Sequence, residues 1–312
     1  MTGYITDLLT AALAAAARGW PVFPLRPGSK RPALHGADRC LGSGPCANGH
    51  RGWEQRATTD PAVIERCWST APYNVGLATG PAGLVIVDLD MASSGEQPPA
   101  ELAALGVANG VDMLVLLADR AGKAPPLDTY TVSTPSGGQH LYFAAPADVE
   151  LRNTSGDKGR GLGWCIDTRA HGGYVVLAGS IVDGRQYEVT DDCDPAPLPA
   201  WLAERLRPAP LPPQRPVVVP LVTDRRTAFL RAAVDGELGR VTSSPPRGHN
   251  IALYHTSVAL GQLVAGGALD EADVVSWLVD AAAKVGQKPG ETHRTIRSGL
   301  RAGAKRPRSI AA

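Results

Sequence analysis

From Leu84 the chain reads Leu-Val-Ile-Val-Asp-Leu-Asp, an apolar run that ends in Asp88 and Asp90, spaced i, i+2. Side chains alternate faces along a strand, so this spacing predicts two carboxylates on one side of a buried strand. Like charges held that close repel each other unless a cation sits between them. Oxygen ligands on a rigid element suit a hard divalent ion such as Mg²⁺ or Mn²⁺. An isolated Asp-x-Asp is equally compatible with a strand that runs out into a solvated acidic turn, so the rest of the chain must decide.

The 312 residues suffice for one large domain and a smaller one. A formal net charge of +1 gives no overall field that would draw the protein to nucleic acid. The asymmetry is local: Arg294, Arg297, Arg301, Lys305, Arg306 and Arg308 follow one another with no acid among them. Five cysteines, an odd count in a chain this long, do not suggest a secreted disulfide framework. The Ala-rich stretch after Leu13 is preceded by Asp7 and by no Lys or Arg, so an export signal is not expected. No apolar run is long enough to span a bilayer. The expectation is a soluble cytoplasmic protein with no membrane partner.

Hydrophobic periodicity predicts helices over 6–18 and 59–68, the second with Asp60 near its start and Pro61 in its first turn. Strands are expected over 74–78, 84–90, 130–134, 140–143, 164–169 and 174–178, with two helical patterns between 98 and 120. This is a mixed α/β domain over 1–205. A Pro-rich linker over 206–223 follows, extended and semi-rigid. After it come helices only, over 224–238, 249–265, 270–285 and 291–304, which make a small all-α domain spanning 224–312.

Several constellations accompany the two acids. Asp167 interrupts the strand-like run Trp164–Arg169. It is either a third acid for a two-metal centre or an ordinary partner of Arg169. In Ser136-Gly137-Gly138-Gln139-His140 the paired glycines would let backbone amides approach a phosphate, and His140 could donate to it. The plain alternative is a hairpin turn with a structural His. His35, Cys40, Cys46 and His50 lie within sixteen residues of a Gly-rich loop, a pattern that fits a closed Zn²⁺ site, with Cys67 as an alternative to His35. Lys30, Arg31, Lys158, Arg160 and Arg169 supply cations that either meet phosphates or face solvent. No Gly-x-x-x-x-Gly-Lys-Ser/Thr phosphate loop is present, so no ATP-driven motor is expected in this chain.

In order, the segments are Pro24–Pro32, the Cys/His loop, Gly52–Asp60, Asn74–Gly80, Val87–Asp90, Thr134–Phe143, Ile166–Arg169 and Gly172–Val176. This ordered set resembles the bifunctional DNA primase/polymerase (prim-pol) domain of the archaeo-eukaryotic primase superfamily, over about residues 5–205. The resemblance implies an α/β (α+β) catalytic domain with an RNA-recognition-like core. It implies that Asp88, Asp90 and Asp167 bind Mg²⁺ or Mn²⁺, and that His140 contacts the phosphates of an incoming NTP or dNTP. Many members carry Asp-x-Glu where this chain has Asp-x-Asp, a conservative change for metal binding. The segments Arg247–Asn250, Leu260–Ala265 and Thr295–Leu300 resemble the helical modules that follow such domains.

The expected activity is nucleotidyl transfer on single-stranded DNA in plasmid, phage or integrative-element replication, with a separate replicative helicase. Lys30, Ser136, Gly137, Gly138, His140 and Arg169 would hold the nucleotide. Arg294, Arg297 and Arg301 would hold template phosphates, unless they form a solvated helix face. The rivals are a non-catalytic replication-initiation DNA-binding protein and a metal-dependent glycosyltransferase, since the latter also uses Asp-x-Asp after a strand.

Overall fold

Alternate residues of the strand Leu84–Leu89 face two different cores. Leu84 and Ile86 enter one; Val85, Val87 and Leu89 enter the other. A strand buried on both faces reads as a continuous apolar run, which is why 84–89 carries no polar residue before Asp88. This computed structural model describes residues 2–36, 39–156, 158–207, 223–245 and 248–308. The chain divides into two units, Met1–Ala209 and Pro210–Ala312. The Pro-rich linker expected over 206–223 lies almost wholly outside the described residues.

The first unit runs α1 (Thr2–Ala17), β1 (Val22–Leu25), α2 (Trp53–Arg56), α3 (Pro61–Trp68), β2 (Asn74–Ala78) and β3 (Leu84–Leu89). It continues with α4 (Ala100–Ala103), α5 (Gly110–Arg120), β4 (Thr131–Ser133), β5 (Gln139–Ala144), β6 (Ile166–Arg169) and β7 (Tyr174–Val176). It ends with β8 (Ile181–Val182), β9 (Arg185–Gln186), β10 (Glu188–Asp191), β11 (Ala196–Pro197) and α6 (Ala200–Leu206). The larger sheet has the order β10-β4-β5-β3-β6, antiparallel throughout, with β11 joining β5 in parallel. A second antiparallel sheet has the order β1-β2-β7, and β8 and β9 form a hairpin.

The face of the larger sheet that carries Leu84, Ile86, Val132 and Tyr142 packs on β1, β2, β7, α1 and α3. The opposite face packs on α5 and α6, through residues such as Leu114, Leu117 and Leu202. Full burial of each such side chain contributes roughly 1.5–3 kcal/mol. Both cores are needed to hold β3 in the middle. Local signals agree with these elements. The Asp60 carboxylate accepts from the Ala62 amide at 2.9 Å at the start of α3, and Pro61 opens the helix. The Asn109 side chain caps α5 by accepting from Val111 and Asp112 at 2.8 and 3.0 Å.

The second unit comprises α7 (Thr223–Thr242), α8 (His249–Ala265), α9 (Glu271–Lys284) and α10 (Pro289–Ala304) among the described residues. The helix α8 meets α10 at close range. A Cβ on Gly299 would collide with Ser257, and one on Gly303 with the Val258 carbonyl. These glycines let the two backbones approach.

A mixed α/β unit followed by a helical one is the expected architecture, with differences at the element ends. β6 starts at Ile166 rather than at 164, because Cys165 adopts a left-handed conformation with φ 57°. β3 stops at Leu89, so Asp90 sits one residue beyond it. α7 runs past the expected end at 238 to Thr242, where fully buried Val241 gives the extra turn a packing partner. No described helix is long and apolar enough to cross a membrane.

Candidate active site and metal centre

Strand register assembles the first site. Asp88 lies opposite His140 across the β3–β5 pair and opposite Asp167 across the β3–β6 pair. Directly opposed side chains on one face of a sheet are neighbours. His140 Nε2 is 3.4 Å from Asp88 Oδ1, and the His140 side chain is 6% exposed. Its other nitrogen, Nδ1, is buried with no partner in the protein. Asp90 is held through its backbone. Its N–H donates to the Cys165 carbonyl at 2.9 Å, and its carbonyl accepts from the Gly110 amide at 2.9 Å. Gly110 leaves room for this clamp, since a Cβ there would collide with the Cys165 carbonyl.

Asp167 has partners on both oxygens. Oδ1 accepts from the Gly156 amide at 2.9 Å and Oδ2 from Arg169 Nη2 at 2.8 Å. Asp167 thus pairs with Arg169, as one of its two sequence readings has it, and lies opposite Asp88 across the β3–β6 pair. Each carboxylate oxygen keeps a free lone pair after one such bond.

The charges act on one another. Burial pushes the Asp88 carboxyl up, but His140, then Arg169 and Lys30, outweigh it and hold Asp88 below the ordinary carboxylate range. Asp90 goes the other way. Burial, then Asp88 and Asp167, raise it to about 6. The two acids therefore sit in environments that push their carboxyls in opposite directions. Burial, then Glu96, Asp90 and Asp167, push the nearby Cys165 thiol up to about 11, so it stays protonated and unreactive at neutral pH.

Asp88, His140, Lys30 and Arg169 line one cavity of about 400 Å³. The segment 172–176 contributes to its wall, as do the side chains of Trp53, Asn153, Tyr174 and Tyr187. These four were not read as site residues from the sequence. Tyr174 carried a signal, because it follows the Gly172-Gly173 pair in one of the ordered segments. Tyr187 and Asn153 carried none.

Ser136, Gly137 and Gly138 are placed differently from the phosphate cradle expected of them. The Gly137 amide donates to the Thr134 carbonyl at 2.9 Å, and the Gly138 amide to Thr134 Oγ1 at 3.1 Å. Thr134 Oγ1 and Ser136 Oγ are 3.0 Å apart. The turn spends its amides on itself. A Cβ on Gly138 would collide with the Leu89 carbonyl, so the turn packs tightly against the end of β3.

A second constellation lies between β1 and α2. Ligand atoms of His35, Cys40, Cys46 and His50 all lie within 4.8 Å of one another. Cys46 Sγ is 3.6 Å from His35 Nε2 and accepts from the Arg51 amide at 3.4 Å. That amide, more than the nearby Cys40 and arginines, holds the Cys46 thiol below its ordinary value despite burial. Two nitrogens and two sulfurs gathered this closely match the donor set of a tetrahedral structural zinc site. Cys67 is not part of the cluster and packs against the apolar core.

In the second unit Arg294, Arg297 and Arg301 are exposed on α10. Arg297 and Arg301 join His293 along a groove of about 470 Å³ beside α8 and α9, and Arg294 lies off it.

A search of curated proteins finds no match to the chain. A family model described as "Bifunctional DNA primase/polymerase, N-terminal" matches residues 12–201, which is more than half of the chain.

Proposed function

From membership of the chain in the bifunctional DNA primase/polymerase family, we propose that it makes or extends primers on single-stranded DNA by two-metal nucleotidyl transfer at Asp88, Asp90 and Asp167. The observation that carries this reading is the register that sets His140 and Asp167 on either side of Asp88. The donor set fits hard cations. Burial first, and then the negative charges of Asp88 and Asp167, hold the Asp90 carboxyl at about 6, and a cation would relieve both. Bound Mg²⁺ or Mn²⁺ would supply charge neutralisation at the reacting phosphate and activation of the primer 3′-hydroxyl.

The protein's own groups do the positioning. Lys30 and Arg169 bring positive charge to the cavity that also holds Asp88 and His140, which suits the triphosphate of an NTP or dNTP. The buried Nδ1 of His140 keeps an unused hydrogen-bonding capacity at the edge of this cavity. Trp53 and Tyr174, both only partly buried, provide flat surfaces for a base or sugar, and fully buried Tyr187 backs the cavity. The Gly156 amide orients Asp167. No side chain is needed as a covalent nucleophile, and the rate gain comes from orientation and electrostatics.

The same proposal includes Zn²⁺ at His35, Cys40, Cys46 and His50, where binding would fix a loop that has almost no core of its own. It includes contacts from Arg294, Arg297 and Arg301 to template phosphates. A separate helicase would open duplex DNA, and a plasmid, phage or integrative element is the setting the family resemblance suggests.

The test is primer synthesis on single-stranded DNA with Mg²⁺ or Mn²⁺ and labelled NTPs or dNTPs. Substantial incorporation by a folded Asp88→Ala/Asp90→Ala protein would sink the mechanism. DNA binding without product in the unaltered protein would favour a non-catalytic initiation factor.

A further inference from the structure

A concavity of about 530 Å³ lies between the His/Cys loop and α3 and shares no lining residue with the catalytic cavity. Its floor is apolar, with Val22, Pro24, Leu34 and Val63. Arg51, Arg56 and Arg66 stand on its walls, and no Asp or Glu lines it. Among the described residues none of the three arginines forms an ion pair. Three guanidinium groups around an apolar floor complement a ligand with spaced anions and flat apolar faces. Arginine matches phosphate oxygens in pairs and stacks on planar groups. Single-stranded nucleic acid has both properties. A lone phosphate would leave the floor uncovered, and an acidic peptide offers the charge without the flat faces.

The cleft is tied to the metal-ligand cluster. Arg51 directly follows His50, and its amide donates to Cys46 Sγ at 3.4 Å. Its guanidinium donates to the Gln55 carbonyl at 2.6 Å, while Gln55 Oε1 accepts from the Gly52 amide at 3.0 Å. These bonds fix the segment from Arg51 to Arg56. One turn of helix, α2, then carries Arg56 to this cleft and Trp53 to the catalytic cavity. We propose that the cleft walled by Arg51, Arg56 and Arg66 binds the phosphate backbone of a single-stranded template outside the catalytic cavity, in a shape held by the His35/Cys40/Cys46/His50 cluster. The inference rests on the reading of the chain as one that works on a DNA strand, but its test needs no catalysis.

The full-length protein and its Arg56→Ala/Arg66→Ala variant are titrated with a labelled oligo(dT) across a salt series. Both are also titrated with a fluorescent dNTP analogue in Mg²⁺. The variant should bind the oligonucleotide roughly tenfold more weakly at low salt, with a log–log salt slope smaller by about 1.4, the change expected when two phosphates are no longer neutralised. Affinity for the dNTP analogue should not change. Arg56→Lys/Arg66→Lys should keep the slope, which a merely structural role for the arginines would not predict. Chelation of metal from the unaltered protein should reproduce the alanine variant's weaker binding. Unchanged oligonucleotide affinity and slope in the alanine variant overturn the proposal, as does full binding after chelation for the cluster's part in it. Competition by polyglutamate as strong as by oligo(dT) at equal charge would overturn the nucleic-acid assignment in favour of an acidic protein partner. Arginine-dependent oligonucleotide binding in a protein that makes no primers would support the cleft and count against the catalytic reading alone.

Discussion

His140 Nε2 lies 3.4 Å from Asp88 Oδ1, at the rung of the sheet where Asp88 also opposes Asp167. The rung exists only in one register. A slip of one residue in β5 or β6 would turn His140 or Asp167 to the other face of the sheet, into the α5 core. Both cores therefore enforce the geometry of the acids.

Loss of Asp88 should remove chemistry and spare the fold. Asp88→Asn keeps the size and much of the hydrogen bonding of the side chain but removes the charge. Nucleotide incorporation should fall by about 10²–10³-fold or more, the scale of a lost electrostatic contact in an active site. Thermal unfolding should stay within a few degrees of the unaltered protein. Incorporation within tenfold of the original rate would rule out a metal-binding role.

Metal affinity should depend on pH through Asp90. Its folded pKa, near 6, is raised above the unfolded value, so the folded protein binds the extra proton between about pH 4 and 6. Without a divalent ion this carboxyl favours the fold below that window, and the benefit is lost as pH rises through 6. A bound cation must displace the proton, so Mn²⁺ affinity should weaken as pH falls from 7 to 5. Calorimetric titration at the two pH values measures this. Asp90→Asn should flatten the dependence, and an equal slope in both proteins would reject the assignment.

Gly110→Ala should be costly at a position with no chemistry of its own. The added methyl meets the Cys165 carbonyl, and backbone cannot swing aside as a long side chain can. Overpacking of this kind costs roughly 1–3 kcal/mol. Because the Gly110 amide also holds the Asp90 carbonyl, incorporation should drop along with the melting temperature. A variant with unchanged melting and activity would show that the contact relaxes freely.

The His/Cys cluster should hold one metal ion per chain. Elemental analysis of purified protein should find about one zinc, and Cys46→Ser should lose it. Cys67→Ser should retain it, because Cys67 packs into the core away from the cluster. Zinc lost equally from both variants would redraw the ligand set.

Much of this was legible in the sequence because it depends on period and spacing. Period-two alternation put Asp88 on a strand face, and four soft or borderline ligands in sixteen residues announced a local cluster. Other parts depend on the third dimension. The Gly137 and Gly138 amides are spent within their own turn, which residue types alone do not reveal. Tyr187 and Asn153 reach the cavity from segments with no motif, so only packing identifies them. Cys165 delays the start of β6 through a left-handed backbone that its residue type gives no reason to expect.

The rung at Asp88 joins positions about 50 and about 80 residues apart in the chain. Closing such long loops precedes any reward from the contacts they bring, so sheets of this kind are slow to form. On a ribosome, Asp88 and Asp90, at the end of β3 and just past it, emerge well before the strand that carries Asp167. Until β6 has left the exit tunnel, Asp88 has no Asp167 to face and the rung is incomplete. Synthesis itself thus delays the completion of this rung until most of the first unit has been made.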